Sequence, residues 1–242
     1  MLTVAGTEGV PRGPAAIMRG MSLQGTDAHR DDATLPPLVV RAVAAARAHG
    51  FAFSCRPEQG RLLRVLAAGA AHSIAETGTG CGVGLAWLAS GAPPGTRLTS
   101  VERDPERART AREVFRDHPR VEILHGDWRR VAEHGPYDLL VLDGGGQAKG
   151  DGAADPVRLL TPGGTLVVDD FTPATTWPPR HDGTPDHARL HWLNHPSLHS
   201  TELRLAPDLS VVVGTRYAAE RVEALGRGGG SHGPGPVRGG GS

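Results

Sequence analysis

Five short apolar runs in this chain each end at, or shortly before, a carboxylate. Glu76 closes Ser73 to Glu76, Glu102 closes Leu98 to Glu102, Asp127 follows Val121 to Leu124, Asp143 follows Leu139 to Leu142, and Asp169 and Asp170 follow Thr165 to Val168. A carboxylate accepts hydrogen bonds from hydroxyl and amino groups or ligates a hard cation. Taken singly, such a residue is more often a helix N-cap. Acidic positions in step with successive strand ends point instead to the edge where open α/β sheets bind ligands. Glu102 at the second strand can hold both hydroxyls of a ribose; Asp127 at the third can accept from an adenine amino group, with the Trp128 ring beside it for stacking. Adenosine is therefore the ligand expected.

The first run leads into Glu76-Thr77-Gly78-Thr79-Gly80-Cys81-Gly82-Val83-Gly84. Glycines between a strand and a helix let backbone approach a nucleotide closely. The dinucleotide fingerprint needs a glycine at its sixth position; counting from Gly78, Gly80 or Gly82, that place holds Val83, Leu85 or Trp87. An NAD-type loop is disfavoured.

Strands must alternate with helices to line up these carboxylates. Helices are expected near Gly84 to Ala89, Pro105 to Phe115, Arg129 to Glu133 and Ala153 to Leu160, giving an α/β, doubly wound, mostly parallel sheet with helices on both faces. Two helices should precede it, one carrying Leu38, Val39, Ala42, Val43 and Ala46 on one stripe and the other starting at Pro57. A late helix is expected from Pro185 to Asn194. Thr201 to Leu205 and Leu209 to Gly214 are separated by three residues, too few for a parallel crossover, so the sheet should end in an antiparallel pair.

A chain of 242 residues suits one such domain, placed at residues 35–220 between a disordered extension (1–34) and a Gly-rich disordered tail (221–242). Basic and acidic residues balance at 26 each, which argues against nucleic acid or an anionic membrane as partner. No signal pattern opens the chain and no apolar run reaches the roughly 20 residues of a membrane span. Two cysteines, Cys55 and Cys81, fit a reducing compartment, so a cytoplasmic location is expected. Lys149 is the one lysine.

Glu76-x-Gly78-x-Gly80-x-Gly82, Glu102 in Ser-Val-Glu-Arg-Asp-Pro, Gly126-Asp127-Trp128, Asp138 to Asp143 and Leu160 to Asp170 resemble, in order and spacing, the motifs of class I methyltransferases. From Phe51 to Thr215, including Arg56-Pro57-Glu58-Gln59-Gly60 and Gly183-Thr184-Pro185-Asp186, the chain is similar to the catechol and caffeoyl-CoA O-methyltransferase group. The resemblance implies a seven-stranded sheet in the order 3-2-1-4-5-7-6 with the last strand antiparallel. It implies S-adenosylmethionine held by Glu76, Gly78, Gly80, Gly82, Glu102, Arg103, Gly126, Asp127 and Trp128. It also implies a metal-assisted O-methylation of a small hydroxylated acceptor, phenol or catechol-like, with a homodimer as candidate assembly.

Asp143, Asp169 and Asp170 match the group's metal positions and offer hard oxygen ligands for Mg²⁺. The group usually has asparagine where this chain has Asp170. Its catalytic lysine lies three residues beyond the aspartate, where this chain has Gly146, while Lys149 lies six beyond in a glycine-rich stretch. Lys149 and Asp143 are the catalytic candidates, with an exposed loop lysine an equal reading of the former. His187, His191, His195 and His199 recur every four residues, a spacing read as a solvated helical face rather than a metal pair, since Pro196 should end the helix. Trp177 and Trp192 are candidates for an acceptor pocket, and Cys81 for a small buried residue. Two alternatives stay open: a metal-independent methyltransferase acting on nitrogen or another oxygen, and a non-catalytic S-adenosylmethionine-binding module.

Overall fold

The computed structural model describes residues 25–30, 32–143 and 152–218. The central sheet has seven strands: β1 (Ser73–Thr77), β2 (Arg97–Glu102), β3 (Val121–His125), β4 (Tyr137–Leu142), β5 (Leu160–Phe171), β6 (Leu198–Ala206) and β7 (Leu209–Arg216). Their spatial order is β3-β2-β1-β4-β5-β7-β6. β1 to β5 pair in parallel, and β7 is antiparallel to both β5 and β6. This is the order and polarity that the resemblance implied, and the tight connection at Pro207 and Asp208 forms the hairpin expected from its length.

Helices α1 (Pro37–Ala48), α2 (Pro57–Ala67), α3 (Val83–Gly91), α4 (Pro105–Val114), α5 (Pro156–Leu159) and α6 (His187–Leu193) flank the sheet, with a short 3-10 helix at Trp128–Glu133. α1, α2 and α4 each open with proline, whose missing N–H costs nothing in a first turn. The Asp104 side chain caps α4 by accepting from the Glu106 and Arg107 N–H groups. Leu63, Leu85, Leu88 and Ile74 pack in one apolar layer, and Leu140, Leu142, Tyr137 and Trp192 in the layer on the sheet's other face. All five residues of β1 are buried, as a central parallel strand requires.

Three local expectations need correction. The helix expected over 153–160 shrinks to α5, because Leu160 enters β5 and pairs with Tyr137 of β4. α6 ends at Leu193, so His195 lies beyond it and His199 lies on β6, and the four histidines share no helical face. The extension expected to be disordered through residue 34 is ordered at its end. There the Thr26 hydroxyl donates to the Phe51 carbonyl at 2.7 Å and accepts from the Ser54 hydroxyl at 2.7 Å, and His29 is buried against Trp87. The Gly-rich tail from residue 221 and Lys149 lie outside the described residues. Among the described residues no helix is long and apolar enough to cross a membrane.

Candidate functional site

The glycine loop turns between β1 and α3 with Gly78, Gly80 and Gly82 at φ of 83°, 54° and 94°, a region costly for residues with a Cβ. Gly84 is required for a different reason. A Cβ there would fall 2.3 Å from Glu76 Oε1, so the α3 backbone sits directly on that carboxyl group.

Glu76 is buried beneath the loop, where its Oε2 accepts from Ser100 Oγ at 2.8 Å, and Ser100 Oγ lies 2.6 Å from Thr79 Oγ1. Burial, reinforced by the charges of Glu102 and Asp169, pushes its pKa up to about 8, so the fold favours the protonated acid. Glu76, Gly78, Gly80 and Asp143 line one small crevice with Phe53 and Cys55.

Glu102 at the end of β2 is 4% exposed and accepts four hydrogen bonds. Gly80 N–H donates to Oε2 at 2.8 Å; Asp104 N–H and Arg107 Nη2 donate to Oε1 at 2.8 Å, and Arg107 Nε at 3.2 Å. The Arg107 guanidinium also lies over the Phe51 ring at 5.4 Å. Asp127 is exposed and caps the short 3-10 helix, accepting from Arg129 N–H at 3.0 Å. That bond, the Arg129 guanidinium and the Arg103 charge hold its carboxyl below the usual range. Trp128 is half-buried under the Arg129 guanidinium at 4.9 Å, and its indole N–H has no hydrogen-bond partner among the described residues. The carboxylates expected to hold ribose and adenine thus stand at neighbouring strand ends, each engaged by an arginine that sequence reading did not single out.

The third group lies at the ends of β4 and β5. One carboxylate oxygen from each of Asp143, Asp169 and Asp170 falls within 4.8 Å of the others. Consecutive residues of a regular strand face opposite ways. Here the β5–β7 register slips between Val168 and Phe171, a bulge that takes up one extra residue at the two aspartates. Asp170 adopts φ of 61°, left-handed backbone that aspartate and asparagine tolerate better than most residues. The bulge and this turn bring both side chains to one side.

Asp169 is 1% exposed and accepts from the Gln59 amide of α2 through Oδ2. The same amide's Oε1 is buried without a hydrogen-bond partner among the described residues. Burial and the charges of Glu76, Asp169, Asp143 and Asp170 push the Cys55 thiol well up, a sign of the negative field in this corner. Three carboxylates, a hard oxygen beside them and a negative field fit a divalent cation bound through oxygen.

Two further expectations resolve differently. Trp192 is fully buried in the core, whereas Trp177 is 74% exposed. Cys81 is buried beside the glycine loop, as expected of a small packing residue, and its thiol is pushed up to about 11 by burial.

A methyltransferase domain family matches residues 75–171. The "Probable O-methyltransferase Rv1220c" of Mycobacterium tuberculosis is 35% identical over 120 residues, covering 46% of this chain and 54% of that one. The chain thus spans about half the length of that relative. The fold resembles the O-methyltransferase TomG from Streptomyces achromogenes in complex with SAM, at a TM-score of 0.64 and 20% identity over 80% of this chain and 96% of that one. It also resembles the O-methyltransferase from Bacillus cereus in complex with SAH, at a TM-score of 0.62 and 20% identity over 79% of this chain and 96% of that one. In strand order, in the loop after β1 and in the matched domain, this chain resembles the class I methyltransferases of the caffeoyl-CoA O-methyltransferase type.

Proposed function

We propose that this chain is a cytoplasmic S-adenosylmethionine-dependent O-methyltransferase whose acceptor is the hydroxyl of a small, phenol or catechol-like molecule, with Mg²⁺ or a similar cation held by Asp143, Asp169 and Asp170. The observation that carries the reading is the gathering of those three carboxylates at the edge where Asp143 also lines the glycine crevice. The names of the similar proteins support the reaction type.

Methyl transfer from a sulfonium is an in-line displacement, so holding nucleophile and methyl donor aligned supplies much of the acceleration. The glycine loop offers close backbone approach, Glu102 its carboxylate for the ribose, and Asp127 with Trp128 an acceptor and a ring face for the adenine. Glu102 Oε1 already accepts three bonds and Oε2 one, so Oε2 keeps a lone pair for a ribose hydroxyl, and a second hydroxyl reaches Oε1 by exchange with the Arg107 side chain. When bound, the cation supplies a lowered pKa for a hydroxyl that contacts it. Asp169, fixed by Gln59, and Asp143, at the crevice, orient that hydroxyl toward the cofactor side.

Turnover with labelled S-adenosylmethionine on a panel of phenols and catechols tests the reading. EDTA and Asp169→Ala should each lower the rate at least about a hundredfold while S-adenosylhomocysteine binding stays within about twofold. Asp170→Asn should remain active. Turnover indifferent to EDTA and to Asp169→Ala would leave a metal-independent methyltransferase as the better account.

A further inference from the structure

The bulge that turns Asp169 and Asp170 to one side is closed on its far side by a buried polar network. Ser210 Oγ lies 3.2 Å from the Phe171 carbonyl and 2.6 Å from Glu202 Oε1. Arg189 of α6 is 3% exposed; its Nη2 donates to the Thr172 carbonyl at 2.7 Å and its guanidinium lies over the Phe171 ring at 4.9 Å. The same guanidinium is held by Asp186 at 3.1 Å and by both oxygens of Glu202 at 3.0 Å. Glu202 also accepts from the Ala174 N–H at 3.0 Å. Residues of α6, β6 and β7 thus converge on Phe171, Thr172 and Ala174, just beyond Asp170.

A left-handed non-glycine residue is strained, and a bulge leaves ladder bonds unmade, so both persist only where surrounding contacts fix them. The contacts here are charge-assisted and desolvated, and the planar fork of arginine sets direction as well as distance.

We propose that Arg189, acting with Glu202 and Ser210, is a positioning residue for the cation site: it pins the chain beyond the bulge so that Asp169 and Asp170 face Asp143. This rests on the cation reading above. A network that merely held α6 to the sheet would affect overall stability and cofactor binding together. A positioning network acts on the cation first, because its hydrogen bonds named above run to Asp186, Glu202 and residues 171–174 and not to the glycine loop or Glu102.

The test is Mn²⁺ binding to the full chain, read by the electron paramagnetic resonance of free Mn²⁺, beside S-adenosylhomocysteine binding by calorimetry. Arg189→Lys keeps the charge and loses the fork, and should raise the Mn²⁺ dissociation constant about tenfold. Ser210→Ala removes one hydroxyl, is the variant surest to fold, and should raise it roughly threefold to fivefold. S-adenosylhomocysteine affinity should stay within about twofold of wild type in both. Folded variants that bind Mn²⁺ as wild type does, or that lose both affinities in equal proportion, would overturn the positioning role. A wild type that takes up no more Mn²⁺ than Asp169→Ala would remove the cation reading and this inference with it, an outcome visible before any Arg189 variant is made.

Discussion

The two halves of the candidate site are built by different means. At the ends of β2 and β3, the carboxylates are held by backbone N–H groups of the turns that follow β1, β2 and β3, each with one arginine beside them: Glu102 by Gly80, Asp104 and Arg107, and Asp127 by Arg129. At the ends of β4 and β5, the aspartates are held by side chains from distant parts of the chain. Gln59 reaches Asp169 across 110 positions, and Arg189, Glu202 and Ser210 close the bulge. Backbone N–H donors at a glycine turn survive most substitutions around them, whereas a side-chain network fails one member at a time. The first half leans mainly on the turns that follow its strands, and the second on side chains brought in by tertiary packing.

The sharpest way to break this contrast is at Glu102. Glu102→Ala removes a ribose acceptor and leaves two loop N–H groups and Arg107 without their partner, so cofactor binding should weaken by about 1.5 to 3 kcal/mol, roughly tenfold to a hundredfold. Asp127→Ala, at an exposed carboxylate, should cost about fivefold at most. Calorimetry giving equal losses for the two would show that burial and loop bonding do not set their weight.

Glu76 sharpens the contrast at intermediate strength. Its folded pKa of about 8 lies above the ordinary 4.5, so the folded chain keeps a proton that the unfolded chain releases between those values. Stability should therefore fall as pH rises from about 4.5 to 8 and level off above, by roughly 1 to 4 kcal/mol from this group. Glu76→Gln should flatten that slope in urea unfolding at pH 5.5 and 8.5. A variant with the wild-type slope would mean that Glu76 is ionised in the fold.

The smallest effect is expected at His29, where Nε2 accepts from Trp87 Nε1 at 3.3 Å and Nδ1 must then donate to the Gly25 carbonyl at 3.0 Å. The neutral ring alone satisfies both, and burial lowers its pKa below 6.5. Its contribution is complete above pH 6.5 and declines as pH falls toward the lower folded value. Hydrogen exchange at residues 25–30 should quicken at pH 5.5 relative to the core strands. Equal protection at pH 5.5 and 7.5 would count against it.

Legibility in the sequence follows the same division. Strands buried on both faces read as apolar runs, proline marked the start of α2, and the short connection at Pro207 required a hairpin, so the sheet and its reversal were readable from local patterns. The three aspartates were readable because each closes a run. The bulge that brings two neighbours to one side was not, since it is set by the offset of β5 against β7. Arg189 stood among the histidines of α6 with nothing local to mark it. Gln59 lay within a motif that carried the resemblance, yet its partner could be found only with β5 in place. The packing of Thr26 and His29 was missed because a segment without apolar periodicity can still be tied down by hydrogen bonds.

The contact between Gly84 and Glu76 also constrains how such a chain can change. Because a methyl at position 84 would meet Glu76 Oε1 at 2.3 Å, a side chain there requires the buried carboxyl to swing away from its Ser100 hydroxyl or to be shortened. Changes at the two positions should therefore couple, Gly84→Ala costing less in a chain that already carries Glu76→Ala than in the wild type.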